Sequence, residues 1–261
     1  MYAHQKASLD NVEQYFAENE EVLALLLTGS IAHGFANEKS DVDIALIVSD
    51  ENHQRRIEQF QTTFFSLELA NYEGGYIDGK YISIDFMRQV AERGSEPARF
   101  AFADAQIVYS KIDGLDDLLQ QIVRYPVEDK IERIRSFYAQ FEAWHWFTTE
   151  ARKRDNHYLM MTAVSKLVLF GGRMILAHNE QLYPYHKWFL RVLEHVEDRP
   201  ANLMPLIDAA LNDPTEANIA AFFETVNTFR EWEKAPTGWG SQFMWDSEIN
   251  WMRGDSPIED V

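Results

Sequence analysis

Two aspartates separated by one residue are the first feature of this sequence that could carry chemistry. Asp41 and Asp43 stand at the start of an apolar run that ends at Val48. Positions i and i+2 of a strand point to the same face, so the two carboxylates project together while Val42 and Ile44 face the core. Neighbouring carboxylates repel each other, and a divalent cation relieves that repulsion. Mg²⁺ prefers such oxygen ligands, together with substrate phosphates.

A Gly-Ser pair precedes the aspartates. Gly29 and Ser30 follow an apolar run over residues 22–28, which predicts a buried strand, and they stand at the expected start of a short helix. Backbone N–H groups at a helix N-terminus attract phosphate oxygens, and glycine lets a phosphate approach the backbone closely. The Ser30 hydroxyl can donate one further hydrogen bond. The segment therefore predicts a phosphate site.

A third carboxylate, Asp85, lies among apolar residues. Asp78-Gly79 is typical of a tight hairpin turn, because such turns need positive φ, and we expect the second strand of the hairpin over residues 81–86. A lone carboxylate between isoleucine and phenylalanine in that strand is costly unless it has a partner or a function. If the strand lies beside that of Asp43, three carboxylates can hold two metal ions about 4 Å apart.

These residues together resemble a known signature. Gly29-Ser30, then Asp41-x-Asp43, then an isolated Asp85 resemble the motifs of the DNA polymerase beta-like nucleotidyltransferase superfamily. The helical C-terminal half is similar to the bacterial branch that includes aminoglycoside nucleotidyltransferases. The resemblance implies a mixed sheet with helices, two Mg²⁺ ions on the three aspartates, in-line attack on the α-phosphate of a nucleoside triphosphate, and release of pyrophosphate. It does not identify the acceptor.

Further candidate residues lie in the C-terminal half. Lys187, within an aromatic cluster, is a candidate for binding the β- or γ-phosphate, because related helical-domain enzymes often have such a lysine. The alternative is a lysine whose stem covers apolar surface. Relatives also imply a general base, either Asp85 or a carboxylate such as Glu142, Glu150 or Asp155. The alternative for these last three acids is a solvated helix face.

The order of predicted elements divides the chain in two. Strand-like apolar runs alternate with helical patterns over the first part, which predicts an α/β (α+β) domain; the resemblance implies that its sheet is small and mixed. Long helical patterns then recur, which predicts an all-α helical bundle. We expect a nucleotidyltransferase catalytic domain over residues 1–115 and a helical substrate-binding domain over residues 116–261.

Composition limits the classes of function. The net charge is −18 and the chain has no cysteine, which excludes disulfides, thiolate catalysis and Cys-based zinc sites. Nucleic-acid binding depends on Lys and Arg, so no nucleic-acid partner is expected, and a small neutral or cationic acceptor suits this field. The N-terminus shows no signal-peptide pattern and no early apolar run could span a membrane, so no membrane association and a cytoplasmic location are expected.

The resemblance and the charge together predict a Mg²⁺-dependent nucleotidyltransferase of the adenylyltransferase type. It would move AMP from ATP, or the equivalent group of another nucleoside triphosphate, onto a hydroxyl of a small acceptor such as an aminoglycoside-like compound. Two alternatives stay open. One keeps the chemistry but modifies a protein or acts in a toxin–antitoxin pair, and the other is a non-catalytic nucleotide-binding module.

Overall fold

The structure, a computed structural model, describes residues 1–254 and 258, and it divides into two compact units, Met1–Arg124 and Tyr125–Val261. The strands of the first unit are β1 (Val22–Leu27), β2 (Val42–Val48), β3 (Thr63–Ser66), β4 (Ile77–Ser83) and β5 (Gln106–Ser110). Its helices are α1 (Ala3–Ala17), α2 (Gly29–Ala32), α3 (Asp50–Glu58), α4 (Ile84–Arg93), α5 (Glu96–Phe100) and α6 (Leu115–Ile122). The domain boundary expected after residue 115 falls at the start of α6.

The five strands form one mixed sheet in the order β3-β4-β2-β1-β5. Only β2 and β4 pair in parallel, and the other pairs are antiparallel. Alternate side chains of β1 and β2 enter two separate cores, one closed by α1 and the other by α4 and α6. Burial on both faces explains why these two strands appear in the sequence as continuous apolar runs. The prediction of an α/β unit with a small mixed sheet is confirmed.

The predicted hairpin at Asp78-Gly79 is wrong. Strand β4 runs through both residues without a turn and lies parallel to β2. The reason for the glycine is packing: a Cβ at Gly79 would lie 2.8 Å from Cγ1 of Ile44 and 3.2 Å from Cβ of Phe64. A glycine inside a strand often marks such a close approach.

The chain passes from β4 into α4 without a linker. Ser83 is the last residue of the strand and also the N-cap of the helix, where its Oγ accepts a hydrogen bond from the N–H of Phe86 at 3.2 Å. Met87 and Val90 then lie one turn apart on the buried side of α4 and join the core beneath the sheet. The alternation of apolar residues around position 85 therefore belongs to an amphipathic helix.

The second unit is helical. Its helices are α7 (Lys130–Lys153), α8 (His157–His178), α9 (Phe189–His195), α10 (Leu203–Asn212), α11 (Glu216–Thr228) and α12 (Trp239–Phe243), the last continued by one π-helical segment (Met244–Glu248). Helices α7 and α8 pack along each other. Two glycines of α8 allow close packing: a Cβ at Gly171 would lie 2.9 Å from the ring of Phe141 in α7, and a Cβ at Gly172 would lie 2.3 Å from the ring of Phe189 in α9. The prediction of a helical second part is confirmed.

Helix α8 is the central element of this unit. Among the described residues it alone is long and apolar enough to cross a membrane, but 72% of its most apolar window is buried inside the protein, and core helices meet the same criteria. Arg173 in its C-terminal half is fully buried. The Arg173 guanidinium lies 4.3 Å from the ring centroid of Phe137 and 4.2 Å from that of Tyr183.

Candidate active site

Two aspartates stand side by side where β2 and β4 begin. The parallel register pairs Asp43 directly with Asp78, and neighbouring strands lie about 4.8 Å apart. Both side chains are therefore neighbours on one face of the sheet, and both residues are partly exposed. Asp41 lies one residue before β2.

The hydroxyl of Tyr76 interacts electrostatically with all three carboxylates. It donates a hydrogen bond to Asp41, and this bond raises the pKa of Tyr76 above its usual value. The negative charges of Asp41, Asp43 and Asp78 raise it further. Three acids thus converge at one end of the parallel pair, and the third of them is Asp78.

Asp85 lies at the opposite end of β4. Ser83 lies five residues beyond Asp78, about 16 Å along a strand, and Asp85 follows in the first turn of α4. Its N–H donates a hydrogen bond to Asp50 Oδ1 at 3.2 Å, and its carboxylate accepts one from Gln89 at 2.7 Å.

The prediction that Asp85 meets Asp41 and Asp43 is therefore wrong. An acid in the first turn of a helix is stabilised by the helix dipole, so Asp85 needs no metal to explain it. Sequence reasoning missed Asp78 because its glycine neighbour indicated a turn. The signal that could have found Asp78 was its alternation with Ile77 and Gly79: Asp78 and Lys80 share the more exposed face at the start of the seven-residue strand.

Gly29 supports the carboxylate of Asp43. The backbone of Gly29 has φ +63°, and a Cβ built on it would lie 1.9 Å from Asp43 Oδ2. The carboxylate therefore occupies the space that a side chain would fill. The N–H of Thr28 also donates to the backbone oxygen of Asp43 at 2.9 Å. A residue other than glycine at position 29 would displace the acid.

Ser30 has a buried hydroxyl close to this point. The residue is 5% exposed, and its Oγ has no hydrogen-bond partner among the described residues. Leaving a buried polar atom unpaired costs about 1–3 kcal/mol. A phosphate oxygen is a suitable acceptor for this hydroxyl. Because α2 is only four residues long, its dipole adds little.

The donor set fits a divalent cation that is bound together with a triphosphate. Within the described part of the chain, no three His, Asp or Glu side chains lie close enough to hold a metal ion by themselves. Mg²⁺ is usually bound by one or two carboxylates and completed by substrate phosphates and water. Asp41 and Asp43 with the in-register Asp78 would supply the carboxylates, and the unpaired hydroxyl of Ser30 would donate to a phosphate oxygen.

His33 at the end of α2 is held by its surroundings. Its Nδ1 lies 3.2 Å from Asp104 Oδ2, and its ring centroid lies 4.8 Å from that of Phe100 and 5.5 Å from that of Phe35. These contacts anchor α2 to the segment before β5.

The candidates from the C-terminal half all lie in the second unit. Lys187 is exposed, and its Nζ lies 5.0 Å from the ring centroid of Trp188. Glu142 accepts a hydrogen bond from the Tyr138 hydroxyl at 2.7 Å. Asp155 lies in the turn after α7 with φ +46°.

Glu150 has two local cationic partners. Hydrogen bonds from Arg154 and then from Lys153 lower the pKa of Glu150, and Lys153 Nζ lies 2.9 Å from the Glu150 carboxylate. Such pairing within one helix turn stabilises a helix, and it covers the Glu150 side chain, which is 13% exposed.

The second unit contains a cavity of about 610 Å³ between α8, α9 and α10. Its walls are mostly apolar and include Leu169, Phe189 and Leu211, while Lys166 and His186 supply polar groups. This size and composition are those of small-molecule sites. The sequence patterns gave no indication of this cavity.

Comparison with known proteins adds one family match. Residues 10–94, which contain Asp41, Asp43, Asp78 and Asp85, match the model of the family described as polymerase beta, nucleotidyltransferase. This match supports nucleotidyl transfer as the chemistry of the first unit and a nucleoside triphosphate as its substrate. No curated protein matches the chain.

The chain is also similar to the solved structure of a nucleotidyltransferase-like protein from Exiguobacterium sibiricum 255-15. The two are 13% identical, the alignment covers 97% of this chain and 80% of the other, and the TM-score is 0.48.

Proposed function

We propose that the protein is a Mg²⁺-dependent nucleotidyltransferase that moves AMP from ATP onto a hydroxyl of a small acceptor, such as an aminoglycoside-like compound. The observation that carries the proposal is the in-register pair Asp43 and Asp78, with Asp41 beside it and the buried, unpaired hydroxyl of Ser30 close by. All four residues lie within the matched span 10–94.

The chain's own residues have distinct parts in this proposal. Asp41 and Asp43 would hold the divalent cations together with Asp78. Asp78 is the third carboxylate, the role that the sequence had indicated for Asp85. When bound, Mg²⁺ neutralises phosphate charge and lowers the pKa of a hydroxyl near it. Ser30 donates a hydrogen bond to a phosphate oxygen, and Gly29 keeps the Asp43 carboxylate in place.

The transfer itself needs one proton acceptor. The acceptor hydroxyl oxygen forms a bond to the α-phosphorus, and its proton passes to the Asp78 carboxylate. The bond between the α-phosphorus and the bridging oxygen breaks, and pyrophosphate leaves with that electron pair. Attacking and leaving oxygens lie on opposite sides of the phosphorus. The second unit is the proposed substrate-binding domain, and its cavity of about 610 Å³ supports this role.

Several features of the chain favour a small acceptor in the cytoplasm. The net charge of −18 disfavours nucleic acid and suits a neutral or cationic compound. Helix α8, the one described helix that could cross a membrane, is mostly buried.

The test compares Asp78→Asn with Asp85→Asn in a transfer assay using ATP labelled at the α-phosphate. Kanamycin, streptomycin and lincomycin serve as small acceptors and cell lysate as the source of protein acceptors. We expect Asp78→Asn to lower the rate by about 10²–10⁴-fold, the usual effect of removing a proton-transfer group, and EDTA to abolish transfer. Asp85→Asn should stay close to wild type.

Other outcomes of this assay would favour one of the alternatives. An inactive Asp85→Asn beside an active Asp78→Asn would refute the assignment of the third carboxylate. A labelled protein band in place of a labelled small product would favour the protein-modifying alternative. The absence of label on any acceptor, with every triphosphate tried, would favour the non-catalytic module.

A further inference from the structure

An aromatic pair, one ring exposed and the other partly buried, lies next to the three acids. Phe65 on the edge strand β3 pairs in register with Asp78 on β4, and side chains of directly opposed residues in an antiparallel pair lie on the same face. Phe65 is 62% exposed. Its ring centroid lies 5.5 Å from that of Tyr76, with 33° between the ring planes. We call these two rings the aromatic platform.

The platform and the phosphate-binding residues lie on opposite sides of the acids. In the sheet order β3-β4-β2-β1, Phe65 belongs to the first strand, Asp78 to the second and Asp43 to the third. Gly29 and Ser30 follow the end of β1. The carboxylates therefore separate a phosphate side at β1 from an aromatic side at β3.

In-line transfer requires the leaving group on one of these two sides and the attacking hydroxyl on the other. The leaving pyrophosphate and the attacking hydroxyl lie on opposite sides of the phosphorus. If Ser30 binds the phosphates that leave, the attacking hydroxyl arrives from the side of Asp78 and β3. This step rests on the function proposed above.

We propose that Phe65 and Tyr76 bind the acceptor and set which acceptors are used. The platform stacks on one face of a ring in the acceptor and places the ring's hydroxyl beside Asp78. Aromatic faces attract both apolar ring faces and cations, and the adjacent carboxylates add negative charge. The matching acceptor is a ring that carries both hydroxyl and amino groups.

The experiment uses the full chain and measures steady-state transfer of AMP from labelled ATP to kanamycin, streptomycin and lincomycin. Phe65→Ala should raise the acceptor KM about tenfold, the size of a cation–π or stacking contact, and leave the ATP KM unchanged. Phe65→Tyr should retain the wild-type acceptor KM, whereas Phe65→Leu should not, because it is apolar but not aromatic.

Phe60→Ala is the matched control. Phe60 lies just before β3, is 94% exposed, and falls outside the paired register of the sheet. Removing the Phe60 ring should change neither the acceptor KM nor the ATP KM. Because both phenylalanines are exposed, neither substitution should lower the thermal unfolding temperature, which is measured for each variant.

The possible failures are distinguishable. Transfer by wild type with an acceptor KM that Phe65→Ala does not change would overturn the platform and leave the proposed function standing. A raised ATP KM with an unchanged acceptor KM would also overturn it, because the rings would then bind the nucleobase. No transfer to any acceptor by wild type would overturn the proposed function and the platform together.

Discussion

Replacing Gly29 with alanine tests the most specific contact in the site. The new Cβ would lie 1.9 Å from Asp43 Oδ2, and Cβ contacts under 3.0 Å essentially do not occur. The oxygen must therefore move by about 1.1 Å. A misplacement of about 1 Å can cost about 10²-fold in rate. The backbone at φ +63° adds strain, about 1–2 kcal/mol for a residue with a side chain.

Gly34→Ala separates these two effects. Gly34 has φ +70°, so alanine is strained there as well, but a Cβ at this position has no atom within 4 Å among the described residues. Both variants should lose several degrees in thermal unfolding temperature. Only Gly29→Ala should also lose about 10²-fold in AMP transfer.

The assay is transfer of label from ATP at saturating Mg²⁺, with circular dichroism melting for stability. Equal activity in Gly29→Ala and Gly34→Ala, at equal stability, would refute the reasoning that the Asp43 carboxylate must rest on position 29. Loss of activity in both variants by the same factor would lead to the same conclusion.

Two further predictions concern the second unit. Gly172→Ala should destabilise the second unit by about 1–3 kcal/mol, because the new methyl group overpacks against Phe189, although alanine is the better helix former. Urea denaturation measures the change in unfolding free energy, and a gain in stability would contradict the prediction. Burial lowers the pKa of His145, which stacks on Phe223 at 3.8 Å, while Glu142 and Glu224 oppose the shift. The unfolded chain then takes up the proton first, so the unfolding free energy should fall as the pH drops below about 6.5, until the folded pKa is reached. His145→Gln should reduce the difference between the unfolding free energies measured at pH 7.5 and pH 5.5. An unchanged difference would contradict the prediction.

The sequence was sufficient for elements whose pattern is long or unbroken. Helices α7 (Lys130–Lys153) and α8 (His157–His178) lie in the part of the chain whose long helical patterns predicted an all-α bundle. Strands β1 and β2 were visible as apolar runs. In each case local side-chain pattern and tertiary burial agree.

Local side-chain patterns did not identify Asp78 as the third carboxylate, because two of them indicated the wrong secondary structure. A glycine after an aspartate indicates a turn, but at Gly79 it makes room for Ile44 from the neighbouring strand. That neighbour is distant in sequence. The apolar residues on either side of Asp85 alternate as in a strand, yet Ser83 caps a helix there. Short stretches fit both periods, and tertiary packing decides between them.

The direct join of β4 to α4 restricts how the chain length can vary. Each residue inserted after Ser83 would rotate the helix by about 100° and carry Met87 and Val90 away from the core they fill. The turn at Asp113-Gly114 is exposed at both residues and can absorb an insertion. Tags or fused modules should therefore be tolerated before α6 and rejected before α4.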